Sequence, residues 1–176
     1  MIIQRILRQS SKFSHLSSSN QVNMVDISNK KFQKRTARAQ CYLKISSEIS
    51  QELKKLSNPD KSSVQSTSII TKGDVFTTAK LAGIQAAKMT SNLIPLCHPI
   101  NLTHVEVEIE HVKTENPKNE NLLKIQSKCT ANYATGVEME ALMACNVAAL
   151  TIYDMVKAVD SKSVVQDLKL IEKIKD

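Results

Sequence analysis

The distribution of hydrophobic and polar residues predicts four strands and three helices. Alternation and β-forming composition predict strands at residues 35–45, 102–112, 122–133 and 163–171. Apolar residues at helical spacing predict helices at residues 48–56, 75–89 and 135–157. If the helix at 75–89 is treated as an addition, the order is βαββαβ. We therefore expect an α+β fold with a ferredoxin-like core, an antiparallel sheet and one additional helix.

The segment 135–157 is predicted to be a long helix around which the other elements are arranged. It contains no Gly or Pro from Glu138 onward, and Ala, Leu and Met favour helix formation. Thr135 and Glu138 have the spacing of a capping box, which we expect to satisfy free amides at the helix start. Apolar residues occupy most of the circumference, as expected of a helix buried on several sides.

Charged side chains on this apolar helix are candidates for chemistry. Asp154 and Lys157 lie three residues apart and project from one face. An acid and an amine placed in this way can shift each other's pKa and share proton transfer. The alternative is a surface ion pair that contributes little to stability. Glu138 and Glu140 are also compatible with simple stabilisation of the helix start by negative charge.

The helix predicted at 75–89 carries small residues that allow another backbone to approach closely, and this face would suit contact between subunits. Asp74 is the expected N-cap. Lys72 lies just before the helix, where a cation and free amides attract an anion such as phosphate. Because no Walker-type phosphate loop is present, the Lys-Gly pair alone is a weak signal.

Two prolines restrict the loop after this helix. Pro95 and Pro99 bracket Leu96, Cys97 and His98, and residues before proline favour extended geometry. His98 is therefore expected on a stiff loop, with either a structural or a functional role. No second ligand lies at metal-binding spacing, so we expect no metal site.

The positive net charge of +7 is concentrated near the amino terminus. Residues 1–40 contain eight Lys or Arg and one acid, whereas residues 41–176 contain sixteen of each sign. The neutral folded part argues against a nucleic-acid interface. No uninterrupted apolar run approaches about 18 residues, so we expect no membrane span. The length of 176 residues favours one domain, residues 24–176, behind a leader.

The leader, residues 1–23, contains no acidic residue and interleaves Arg, Lys and Ser with Ile, Leu and Phe. This composition is typical of a mitochondrial transit peptide that forms a basic amphipathic helix. It predicts a mitochondrial matrix location. The alternative is a disordered leader on a cytoplasmic protein.

The four cysteines are scattered along the chain without a CxxC pair: Cys41, Cys97, Cys129 and Cys145. This spacing indicates neither a disulfide framework nor a zinc ribbon. We interpret them as buried thiols in a reducing compartment.

Four motifs carry a family resemblance: KGDVFTTAKLAGIQAAK, NLIPLCHP, TGVEMEAL and AALTIYDMVKA, in this order. They resemble the molybdenum cofactor biosynthesis protein C family, the cyclic pyranopterin monophosphate synthases. MVDIS at Met24 and RTARA at Arg35 are similar to the amino-terminal features of that family. The resemblance extends from about Met24 to Lys173.

The resemblance implies a lyase that converts 3′,8-cyclo-7,8-dihydroguanosine 5′-triphosphate to cyclic pyranopterin monophosphate and releases pyrophosphate. It implies that Asp154 is the catalytic acid/base and Lys157 its partner. The implied substrate-binding residues are Leu96, Cys97, His98, Met139 and Glu140, with Lys72, Glu138, Arg35 and Lys173 as further pocket residues. It also implies a homohexamer built from dimers. The implied substrate is a nucleotide-derived small molecule, and no cofactor is expected beyond Mg²⁺ that can accompany the triphosphate.

The separation of the candidate residues predicts that sites are shared between subunits. Glu140 and Asp154 are fourteen residues apart, which corresponds to about 21 Å along one straight helix. An oligomer in which two chains contribute to each site would bring both to one ligand.

The sequence lacks two motifs that bear on its function. It contains no CxxxCxxC cluster motif, so a separate radical enzyme is expected to supply the substrate. The Gly-Gly-Lys-Ser-Gly tail usual in the family does not follow Lys173. The missing tail is the only support for one alternative, a nucleotide-binding protein without turnover. The high isoelectric point supports a second alternative, a nucleic-acid-binding module, which the neutral folded part and the few aromatic residues oppose.

Overall fold

The computed structural model describes residues 21–56, 74–112 and 121–176. The elements of this part of the chain are β1 (Gln33–Lys44), α1 (Ser47–Leu56), α2 (Val75–Lys88), α3 (Thr90–Leu93), β2 (His104–His111), β3 (Leu122–Tyr133), α4 (Glu138–Val156) and β4 (Val164–Lys175). Each predicted strand and helix is present with bounds shifted by at most four residues. Residues 57–73 and 113–120, which connect α1 to α2 and β2 to β3, lie outside the described residues.

The strands form one antiparallel sheet in the order β2-β3-β1-β4. β1 pairs with β3 along its full length without a register shift. The alternation predicted for β1 is confirmed, because Ala37, Ala39, Cys41 and Leu43 are all buried. An antiparallel sheet with helices packed against it is an α+β fold, so the predicted class is confirmed.

The outer face of the sheet carries charged side chains on neighbouring strands. Glu110 on β2 lies opposite Lys124 on β3, and the two side chains form an ion pair of 3.1 Å. Lys128 lies opposite Glu106 in the same register. Opposite charges that face each other across two strands stabilise the sheet, so these side chains are explained without a binding role.

The small-residue face of α2 packs against α4 within the same chain. A Cβ on Gly83 would lie 2.7 Å from the backbone oxygen of Ala144, so the two helices are in backbone contact there. Ala79, Ala86 and Ala87 of the same helix are buried. The predicted use of this face between subunits is therefore replaced by a contact inside the subunit.

Helix α4 lies across the sheet and contacts β1, β3 and α2. Its length and mean hydropathy of 1.3 match those of a membrane-spanning helix, although the sequence contains no long uninterrupted apolar run. Half of that stretch is buried inside the protein, where it packs on the sheet. The hydropathy of α4 is thus explained by its place in the core.

Of the two predicted helix N-caps, the structure confirms the one on α2 and contradicts the one on α4. Asp74 caps α2 as predicted, because its Oδ1 accepts a hydrogen bond of 3.0 Å from the Thr77 amide. The predicted capping box of α4 is wrong, since the helix begins at Glu138 and its N-cap, Val137, makes no side-chain cap. Thr135 instead lies in the preceding loop, and the Glu138 carboxylate pairs with Lys173.

Candidate functional site

A cavity of about 270 Å³ lies at the start of α4. Six residues of the predicted site line it: Leu96, Cys97, His98, Glu138, Met139 and Glu140. They come from two segments that are about forty residues apart in sequence, the loop after α3 and the first turn of α4. The fold therefore brings the two predicted substrate-binding segments to one place.

The loop that carries His98 is held from both sides. The Cys97 amide donates a hydrogen bond of 3.0 Å to the Ile94 carbonyl, which closes a turn directly after α3. His98 Nε2 lies 2.8 Å from the Val25 carbonyl oxygen. Because a carbonyl only accepts, Nε2 carries a proton in this contact. This contact holds the amino-terminal segment beside the cavity. His98 can have this structural role and also contact a bound ligand, because it lines the cavity.

Glu140 is the buried carboxyl group of the cavity, with only 3% of its surface exposed. Burial, together with the nearby Glu138 charge, raises the pKa of Glu140 from 4.5 to about 7. Such a group can both donate and accept a proton near neutral pH. Burial and the neighbouring Glu140 also raise the pKa of the Cys97 thiol, so Cys97 contributes a neutral, weakly polar wall.

Cationic side chains adjoin the cavity at the same end of the sheet. Lys173 on β4 forms an ion pair with Glu138. Arg35 on β1 donates from Nη2 to the Ala134 carbonyl at 3.4 Å, and its buried Nε has no hydrogen-bond partner among the described residues. Neither side chain lines the cavity itself. The position of Lys72, the remaining predicted cation, lies outside the described residues.

Asp154 and Lys157 form the predicted pair, but they lie at the opposite end of α4. Lys157 Nζ donates to Asp154 Oδ1 at 2.5 Å, and both side chains are more than half exposed. This hydrogen bond and the Asp154 charge raise the pKa of Lys157. Since α4 is helical from Glu138 to Val156, the fourteen residues from Glu140 to Asp154 span about 21 Å. One chain does not bring the pair to the cavity.

A comparison with known protein families matches residues 24–176 of this chain to the MoaC family. The chain belongs to the MoaC family. The match covers the cavity, the cations around it and the Asp154–Lys157 pair. MoaC proteins take part in molybdenum cofactor biosynthesis, and this chain is assigned to that process.

Five residues that line the cavity of this MoaC chain are not among the predicted site residues: Val25, Lys30, Ile100, Thr135 and Gly136. Lys30 and Val25 come from the amino-terminal segment that His98 holds in place. Lys30 follows a turn in which Asp26 accepts hydrogen bonds from the amide and hydroxyl of Ser28. The resemblance of MVDIS to the family was the available signal, but a contact between residues 73 positions apart has no local sequence signature.

The turn after α4 has an anchor that sequence reasoning also missed. Asp160 accepts hydrogen bonds from the Ser46 amide at 2.7 Å, the Lys162 amide at 3.0 Å and the Ser163 hydroxyl at 2.9 Å. Burial alone would raise the pKa of Asp160, but these bonds outweigh it and lower the pKa. Asp160 thereby ties the turn that follows Lys157 to the β1–α1 junction.

The described residues contain no group of three or more His, Cys, Asp or Glu side chains that could hold a metal ion. The charged groups around the cavity instead suit a ligand with both a hydrogen-bonding ring and negative charge. Glu140 can act as an acid and as a base, and Lys30 supplies a positive charge in the same cavity. This combination can bind an anionic heterocycle and move protons on it.

Proposed function

We propose that this MoaC-family chain is a cyclic pyranopterin monophosphate synthase. It would convert 3′,8-cyclo-7,8-dihydroguanosine 5′-triphosphate to cyclic pyranopterin monophosphate with release of pyrophosphate. The observation that carries the proposal is the cavity at the start of α4, where buried Glu140 lies beside Leu96, Cys97 and His98. Membership of the MoaC family assigns the chain to molybdenum cofactor biosynthesis. The side chains that line the cavity suit this reaction.

The rearrangement of a guanine-derived ring requires several proton transfers. Glu140, with a pKa of about 7, is suited to donate and accept protons on the bound ring. Asp154 and Lys157 supply a second acid–base pair whose members are 2.5 Å apart. Removing the proton from Lys157 is made harder by Asp154, so we assign Asp154 the acid/base role and Lys157 a charge-stabilising role.

The departure of pyrophosphate requires positive charge near the triphosphate. Lys173 pairs with the cavity residue Glu138, and Lys30 lines the cavity itself. Arg35 donates a hydrogen bond to the Ala134 carbonyl, next to the lining residue Thr135. Lys72 is assigned to the same group by the family resemblance. No cofactor is required by this chemistry, although Mg²⁺ can accompany the triphosphate as part of the substrate.

We further propose that each site is shared between two subunits of a homohexamer built from dimers. The support is the 21 Å that separates Asp154 from Glu140 along α4 and the exposure of the Asp154–Lys157 pair. A two-fold partner can place its own Asp154 and Lys157 over the cavity of the first chain. The site would then be complete only in the dimer.

Strand β4 offers a surface for this partner. It is an edge strand with exposed apolar side chains at Val164, Leu168, Leu170, Ile171 and Ile174. β4 begins near the Asp154 end of α4 and ends near the cavity, where Lys173 meets Glu138. A two-fold axis through β4 exchanges these two ends. Contact along β4 would therefore bring the Asp154 end of one chain toward the cavity of the other.

The remaining parts of the proposal concern fold, supply and location. We infer that the strand order β2-β3-β1-β4 is the ferredoxin-like arrangement predicted from the element order. A separate radical enzyme would supply the cyclised nucleotide. The basic leader supports delivery to the mitochondrial matrix, although residues 1–20 lie outside the described residues.

The test is to incubate the purified protein with the cyclised nucleotide and to measure pyrophosphate and pterin product together. We expect equal amounts of both, and none from Asp154→Asn under the same conditions. Nucleotide binding without pyrophosphate from the unaltered protein would favour the binding protein without turnover and would contradict the proposed reaction.

A further inference from the structure

Two cysteines that are distant in sequence meet in the core. Cys41 faces inward from β1 and Cys145 faces inward from the middle of α4, 104 positions further along the chain. Their sulfur atoms are 3.1 Å apart, and neither residue is exposed. The Cys145 thiol also lies 3.3 Å from the Ile125 carbonyl oxygen. The contact therefore joins β1, one of the two central strands, to the helix that carries the candidate site.

We propose that Cys41 and Cys145 form a modification site, at which a hydroperoxide converts the two thiols into a disulfide between β1 and α4. A disulfide bond is about 2.05 Å long, so the sulfurs need to approach by only about 1 Å. All four cysteines are free in this structure. The bond would therefore be formed after folding, from a pair that the fold has already brought together.

The strand register excludes Cys129 as the partner of Cys41. Cys41 lies opposite Ile125 on β3, whereas Cys129 lies opposite Ala37. Four residues along a strand correspond to about 13 Å, which is too far for a disulfide. Cys97 lies in the cavity wall rather than in the core. Among the four thiols, the Cys41–Cys145 pair is the one in direct contact.

The reaction balances with a hydroperoxide as the oxidant. One sulfur, as its thiolate, attacks a peroxide oxygen, the O–O bond breaks, and a sulfenic acid forms while hydroxide leaves and takes up a proton. The second sulfur then displaces the sulfenic hydroxyl group, which leaves as water. Two thiols lose two electrons in total, and one hydrogen peroxide becomes two water molecules.

Burial of the two thiols makes this oxidation slow, and the contact between their sulfur atoms makes it selective for this pair. The contact with Cys41 and burial both raise the pKa of Cys145, so little thiolate is present at neutral pH. Oxidation then requires a transient opening between α4 and the sheet, and its rate should increase with pH. Once formed, the bond restricts the unfolded chain across a long segment, so the oxidised protein should resist unfolding.

The test treats the native full-length protein with hydrogen peroxide at several pH values, blocks remaining thiols with N-ethylmaleimide in denaturant, and maps peptides without reduction. We expect one cross-linked species that joins the Cys41 and Cys145 peptides. We also expect the melting temperature to rise by roughly 5–15 °C and to return after treatment with dithiothreitol.

The matched variants are Cys41→Ala, Cys145→Ala and Cys129→Ala. The first two should lose both the cross-link and the rise in melting temperature, whereas Cys129→Ala should keep them. The peptide map of the unaltered protein decides the question even if a variant fails to fold. Recovery of Cys41 and Cys145 as blocked thiols, or a cross-link to any other cysteine, would overturn the proposal.

Discussion

Replacing Glu140 by Gln tests the most perturbed carboxyl group of the cavity. Gln has nearly the same shape as a protonated Glu but cannot ionise, so the variant isolates the effect of the charge. Burial of the Glu140 side chain and the neighbouring Glu138 charge raise its pKa from 4.5 to about 7. The variant should therefore differ from the wild type mainly where wild-type Glu140 is ionised.

The size of the effect on stability follows from the pKa. A rise from 4.5 to about 7 corresponds to about 3 kcal/mol between the two protonation states. Because the pKa is raised on folding, the associated stability is fully present below pH 4.5 and is lost as the pH rises to about 7. Between pH 5 and pH 8 the wild type should lose about 2–3 kcal/mol of stability that Glu140→Gln retains.

The assay is urea unfolding of both proteins at a series of pH values, with the exposed Glu108→Gln on β2 as a control. The free energy of unfolding of Glu140→Gln relative to wild type should increase with pH, whereas the control should follow the wild type. In turnover, the loss of proton transfer should lower kcat by roughly 10²–10⁴ and remove a pH dependence near 7. Parallel stability curves for Glu140→Gln and wild type would refute the raised pKa.

The remaining predictions address the Asp154–Lys157 pair, the packing of α2 and the leader. Asp154→Asn and Lys157→Ala should abolish pyrophosphate release without changing the melting temperature, because both side chains are exposed in the subunit; near wild-type release from either would rule out its catalytic role. Gly83→Val should cost about 1–3 kcal/mol in urea unfolding, because its Cβ meets the Ala144 oxygen, and unchanged stability would show that the helices can separate freely. Residues 1–23 fused to a fluorescent protein should direct it to mitochondria, and Arg5→Glu with Arg8→Glu should prevent this; a diffuse signal from the unaltered fusion would favour a disordered leader.

The fold was predictable where one face of an element is apolar and the other is not. β1 follows its alternation because its inward residues pair with inward residues of β3 along the full strand. The short helix Thr90–Leu93 was missed because four residues are too few to show a helical period. The start of α4 was misplaced because Glu138 pairs with Lys173, a contact between distant elements that overrides the local capping pattern.

The site was predictable as two segments but not as a complete arrangement. Glu138 and Glu140 look alike in the sequence, yet one turns toward Lys173 and the other is buried in the cavity. Which of them is buried depends on the rotation of α4 on the sheet, which the sequence pattern does not specify. Lys30 lines the cavity because the contact between His98 and Val25 holds the amino-terminal segment there. In the same way, the contact of Cys41 with Cys145 depends on how α4 packs on β1.

The most direct test of the proposed enzyme and its shared site is to mix two inactive variants. Asp154→Asn retains an intact cavity, and His98→Ala retains an intact Asp154–Lys157 pair. After subunits are exchanged by refolding together, about a quarter of the sites should contain an intact cavity from one chain and an intact pair from the other. Pyrophosphate release from the cyclised nucleotide should therefore return to about a quarter of the wild-type rate, and mixtures with Arg35→Ala or Lys72→Ala in place of His98→Ala provide further pairings. If every mixture stays inactive while mass spectrometry shows mixed oligomers, the cavity and the Asp154–Lys157 pair do not form one site across two subunits.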